Sequence, residues 1–115
     1  MTAASAGEAA GEVRIAFITA PDRGTAAGIA RALVEERLAA CVNLVPGVRS
    51  IYRWEGALQE QEETLLLVKT TAGRARALEA RVRELHPYDV PELVCVTVAA
   101  GSEPYLAWVA RETSP

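Results

Sequence analysis

The chain has few of the residues that most often carry chemistry. It holds one histidine, His86, one lysine, Lys69, and two cysteines, Cys41 and Cys95. There is no CxxC and no paired histidine, so no metal motif is present at ligand spacing. Two cysteines make no disulfide framework, and free thiols are expected. No basic segment followed by an apolar core opens the chain, and no apolar run is long enough to span a bilayer. These features predict a cytoplasmic protein without a membrane partner. Positive charge is not in excess either: the net charge is −3 and the isoelectric point about 5.2, which leaves no basic footprint for nucleic acid. A nucleophile, a base and an orienting group cannot be assembled, so the chain is read as a non-enzyme.

What is there suits one domain. The 115 residues, half of them apolar, are enough to bury a core without disulfide or metal staples. Residues 1–12 are small and polar with no apolar period, which predicts a disordered tail, and 13–115 form the domain. Val13 to Thr19 reads as a buried central strand. Asp22 is placed to cap a helix in which Ala26, Ile29, Leu33 and Leu38 recur at helical spacing, ending near Ala40. Ala40 to Gly56 is a long strand interrupted by Pro46-Gly47, and Glu55-Gly56-Ala57 turns it into a hairpin whose second arm carries Leu65 to Val68. Thr70 or Thr71 can cap a second helix, with Ala75, Leu78, Val82 and Leu85 on one stripe. The rigid connector from His86 to Glu92 leads to a fourth strand over Leu93 to Val98, and Gly101 to Pro104 starts a C-terminal helix.

This order predicts an α+β fold, a ferredoxin-like βαββαβ sandwich with a C-terminal helix. Right-handed crossovers give the strand order 4-1-3-2, with the first and third strands central and expected to be parallel. Cys41 and Cys95 then stand on opposite edges of the sheet. An edge as long and apolar as Ala40 to Gly56 needs a cover, and the cover predicted is another copy of the chain, joined head to tail to the opposite edge.

Two groups of side chains are candidate sites. His86 and Cys41 combine an imidazole and a thiol, which suits copper or zinc. Their plainer readings are a cation at a helix end and a small residue packed near the assembly seam. Lys69 ends an apolar strand and needs a partner, for which Glu63 and Glu92 are the candidates; its head could instead reach water, or contact a small anion. With Tyr88, Glu92, Trp54 and Arg53 it forms the predicted ligand-binding group. RNA recognition is disfavoured because Val13 to Thr19 and Thr64 to Thr70 lack its basic and aromatic alternation.

The chain carries Thr19-Ala20-Pro21, Leu38 to Asn43, Pro46-Gly47, Ile51 to Gly56, Lys69-Thr70, His86-Pro87-Tyr88 and Pro91-Glu92. Through these pieces, across residues 14–108, it resembles the CutA divalent-cation tolerance proteins. The resemblance implies a homotrimer similar to the PII signalling proteins, long hairpins that pair with neighbouring subunits, and a role in the response to metal ions, copper among them. Some bacterial members look able to bind copper through a cysteine in the first strand and two adjacent histidines. Here Ile18 and Leu85 occupy two of those positions, and His86 alone remains. The alternative function is a PII-like sensor that binds a small anionic ligand in clefts between subunits.

Overall fold

The computed structural model describes residues 11–115. Most of the predicted tail therefore lies outside the described residues, but Glu12 is held: its carbonyl accepts from Ala72 N–H at 2.8 Å. The elements are β1 (Val13–Ala20), α1 (Arg23–Glu35), β2 (Cys41–Trp54), β3 (Ala57–Thr71), α2 (Ala75–Leu85), β4 (Leu93–Thr97) and α3 (Glu103–Glu112).

Local chemistry sets the helix ends. Asp22 caps α1 as its position predicts, with Oδ1 accepting from Thr25 N–H at 2.7 Å. The helix stops at Glu35 and does not run to Ala40. Arg37 takes a left-handed φ of 59°, which lets Leu38 N–H reach Leu33 O at 2.9 Å and Arg37 N–H reach Val34 O at 3.1 Å. That pair of bonds is a Schellman ending built on arginine where glycine is usual. Neither Thr70 nor Thr71 caps α2. Both are buried at the end of β3, where Thr70 Oγ1 donates to Leu38 O at 2.7 Å and Thr71 Oγ1 meets Thr113 Oγ1 at 3.4 Å. Arg74 takes the capping position without a side-chain bond to the helix.

The sheet has the predicted order, β2-β3-β1-β4, and every neighbouring pair is antiparallel. The expectation that β1 and β3 run parallel is corrected. The helical crossover returns β2 in the direction of β1, and the hairpin then reverses β3, so the two central strands must oppose each other. Cys41 and Cys95 sit on opposite edges as predicted, three strands apart or roughly 14 Å across the sheet.

One face of the sheet carries α1 and α2. Ala16, Ile18 and Ala20 from β1 and Leu66 and Val68 from β3 alternate onto it and meet Ile29, Leu33, Leu78 and Val82 in a closed core. The other face is covered only at one end, where Val109 of α3 packs on Val13 and Ala40, with Leu106 and Trp108 beside them. The rest of that face is open and mostly apolar in register, with Asn43 and Lys69 as its polar members. Asn43, Leu67, Phe17 and Val94 form one row across the four strands, and Cys41, Lys69, Ile15 and Val96 form the next.

The hairpin strands β2 and β3 are 14 and 15 residues long, and the chain measures 49 Å along its main axis against 29 and 25 Å across. Glu55 and Gly56 make the hairpin tip, with φ of 50° and 80°, the two-residue turn whose twist matches the flanking strands. Between Val45 and Val48 the register shifts, so that Pro46 and Gly47 together oppose Thr64. Proline has no N–H for the ladder, and Gly47 takes a φ of 78°; together they place a bulge where the interruption in the sequence predicts one.

Candidate functional site

Beyond the bulge, the hairpin arm and the 86–92 connector enclose a groove of about 800 Å³. Its walls include Tyr52 and Trp54 from β2, Gln61 and Glu63 from β3, and Tyr88 and Glu92 from the connector. The connector stays rigid because Pro87 and Pro91 hold its backbone out of the helical region. Its first residue is anchored to the sheet. The ring of His86 is buried, and its Nε2–H donates to Thr19 O at 2.7 Å while Nδ1 accepts from Tyr88 N–H at 3.1 Å. The carbonyl partner can only accept and the amide can only donate, so the proton is assigned to Nε2. The predicted role of His86 as a cation at a helix end gives way to that of a buried post. The end of α2 is closed by the backbone, with His86 N–H donating to Val82 O at 2.8 Å.

The post sets the phenol of Tyr88, whose ring lies 4.7 Å from the imidazole. Tyr88 Oη donates to Glu63 Oε2 at 2.8 Å and accepts from Gln61 Nε2 at 3.2 Å. Glu63 is only 5% exposed. Burial, followed by the hydrogen bond to Glu63 and that group's negative charge, pushes the Tyr88 phenol up to about 12. A raised folded-state value means that any stability linked to this proton is complete below pH 10 and is lost between pH 10 and 12. An ultraviolet titration of the tyrosines is therefore expected to show a component with a midpoint near 12. Tyr88→Phe should remove that component, and Glu63→Gln should move it down.

The predicted ligand-binding residues do not all converge. Tyr88, Glu92 and Trp54 line the groove, whereas Arg53 stands exposed near the hairpin tip opposite Leu58. Lys69 is six residues along β3 from Glu63, about 20 Å away along the strand. It faces the open side of the sheet, and its Nζ donates to Asn43 Oδ1 and to neither candidate carboxylate, Glu63 or Glu92. Glu63 is the residue that sequence reasoning placed in the wrong role. It follows the polar stretch Gln59 to Glu62 on the second arm of the hairpin. Its strand phase with Leu65 and Leu67 is the signal that sets it on the same face of β3 as they are.

The fold and this groove can be set beside known proteins. A family model described as CutA1 divalent ion tolerance protein matches residues 14–112. The chain belongs to the CutA1 family. It is 54% identical over 99 residues to the divalent-cation tolerance protein CutA of Thermus thermophilus, spanning 86% of this chain and 96% of that one. Against the mouse protein CutA it is 46% identical over 111 residues, 96% of this chain and 63% of the mouse protein. A solved structure of the Thermus thermophilus CutA1 protein superposes with a TM-score of 0.87 at 52% identity, covering 89% of this chain and 99% of that chain.

The CutA1 name implies a divalent metal, yet the donors here do not fit a resident copper centre. Both nitrogens of His86 are already engaged. Ile18 is fully buried in the core, and Leu85 packs against that core, so neither position offers a ligand. Cys41 opposes Lys69, at the other end of the sheet from Thr19 and His86. Among the described residues no group of three His, Cys, Asp or Glu side chains is placed to hold a metal ion. Among the same residues no helix is long and apolar enough to cross a membrane.

Proposed function

We propose that this CutA1-family chain acts in the response to divalent metal ions as a non-catalytic homotrimer, closed head to tail through the edges of β2 and β4. The observation that carries this reading is the half-covered sheet. Phe17, Leu65 and Leu67 are only partly buried, and Val45, Val94 and Val96 are exposed beside them on the face that α3 leaves open. Both edge strands also present unpaired backbone. A lone chain with such edges is prone to aggregate, whereas a ring of unlike edges buries all of them. The compartment we assign is the cytoplasm, which suits the two free cysteines.

In this reading metal tolerance does not depend on a tight copper site, because a single imidazole without a soft second ligand makes a poor one. Calorimetric titration with copper(II) is expected to show only weak binding, with a dissociation constant above roughly 1 μM. Tighter binding that disappears in His86→Ala would overturn this and assign a metal site to the chain.

One observation favours a second reading, a sensor of a small anion held between subunits. Lys69 lies on the open face in a row with Cys41, Ile15 and Val96, and its bonded partner is a neutral amide. Assembly would enclose that ammonium without a counter-charge from the described residues of its own chain, a vacancy that suits a carboxylate or phosphate.

A further inference from the structure

We propose that His86 is a proton-operated latch, which holds the 86–92 connector to the sheet while its ring is neutral and releases it when acid protonates Nδ1. β4 pairs with β1 only as far as Ile18, opposite Leu93. One residue further along β1, the Thr19 carbonyl accepts from His86 Nε2–H at 2.7 Å, and the other ring nitrogen accepts from Tyr88 N–H at 3.1 Å. The imidazole therefore bridges β1 and the connector. One nitrogen must donate and the other must accept, which only the neutral ring can do. A second proton turns Nδ1 into a donor that faces the donor of Tyr88. The bond that holds the connector is then lost, while the bond to Thr19 survives. The ring is 6% exposed, so the added charge also meets little water.

Release has a defined reach. Tyr88 is also the residue whose Oη meets Glu63 Oε2 at 2.8 Å, so the connector's hold on the hairpin arm depends on the residue that the ring positions. The connector then runs into β4 at Leu93. The charged groups around the ring act on its proton in different ways. β1 presents the neutral Thr19 carbonyl, and from β3 the Glu63 carboxylate reaches the ring only through the Tyr88 phenol. Asp22, at the start of α1, keeps its carboxylate on Thr25. α2 ends in Arg83 and Glu84, of opposite charge, and Asp89 and Glu92 follow Tyr88 on the connector. Among the described residues none of these carboxylates is hydrogen-bonded to the ring. Every part of the latch lies within one chain, so it does not depend on the trimer.

Nuclear magnetic resonance of the 15N-labelled full chain, titrated from about pH 7.5 down to about pH 4.5, tests the proposal. The single histidine makes the ring signals unambiguous. At the upper end Nε2 should carry a proton and Nδ1 none. As the pH falls, both nitrogens are expected to become protonated, and in the same step the hydrogen-exchange protection of the Tyr88 amide should drop by roughly tenfold. The amides of Ile18 and Leu66, inside the sheet, should keep theirs. His86→Gln offers a donor and an acceptor that do not titrate, and is expected to abolish the step. Glu63→Gln keeps an acceptor for Tyr88 Oη, and is expected to retain it. A ring that stays neutral throughout, Tyr88 protection unchanged once both nitrogens are protonated, or loss of the Ile18 and Leu66 protection in the same step would overturn the proposal. So would a step that persists in His86→Gln or vanishes in Glu63→Gln.

Discussion

Leu67→Asp is expected to hold the protein as a monomer of 12.3 kDa at concentrations where the proposed trimer of the parent chain would form. Leu67 sits in the middle of the open face, paired with Phe17 on one side and Asn43 on the other. It points away from the closed core, so a carboxylate there leaves the packing of α1 and α2 intact. In the ring, three copies of the charge would be buried near one another without partners. Each costs several kcal/mol to desolvate, and they repel as well. Light scattering reads the mass, and circular dichroism should still show the folded chain. A Leu67→Asp protein that keeps the mass of three chains would mean that the open face is not the interface.

The second large effect is Leu66→Ala. Leu66 is fully buried, one residue from Leu67 but on the opposite face, with Ile18 and Leu44 as its cross-strand neighbours. Truncation removes its transfer free energy and leaves a cavity among Ile18, Val68 and the helices, a loss of about 3 kcal/mol. The cost is best read by denaturant unfolding in the Leu67→Asp background, because the stability of an oligomer otherwise depends on protein concentration. Val94→Ala, on the exposed β4 edge, should change the stability of the same monomer by less than about 0.5 kcal/mol. Adjacent residues thus separate the two roles of one strand: removing Leu66 weakens the fold, and charging Leu67 weakens the assembly.

The contrast between Leu66 and Leu67 also shows where sequence reading succeeds and where it fails here. Element order, strand order, the bulge at Pro46-Gly47 and the Asp22 cap are all local or topological, and period, turn chemistry and crossover rules reach them. The relative direction of β1 and β3 is equally a matter of topology, and the parallel expectation neglected the reversal made by the hairpin. The boundaries at Glu35 and Ala75 escaped for a different reason. Arg37 adopts a conformation usually left to glycine, and Thr70 and Thr71 give their hydroxyls to tertiary partners instead of to the helix. Propensity cannot foresee a commitment made to a residue dozens of positions away.

The site was half legible. Tyr88, Glu92 and Trp54 converge because the rigid HPYDVPE connector crosses the end of the sheet beside the hairpin. The sequence groups Lys69 with them as a cation at a strand end, but β3 is 15 residues long and carries it to the far end of the sheet. Glu63 enters the sequence reading only as a counter-charge for that lysine. Its burial comes from the Tyr88 phenol and from the connector closing over the hairpin, a contact between segments about 25 residues apart that no local pattern announces.

The most direct test of the account is the molar mass of the unmodified chain in solution, measured by light scattering from about 1 to 100 μM. The account predicts a constant mass of three times 12.3 kDa across that range. A well-folded, non-aggregating monomer at the upper concentration would contradict it, because the open face and both apolar edges would then stand in water without a partner.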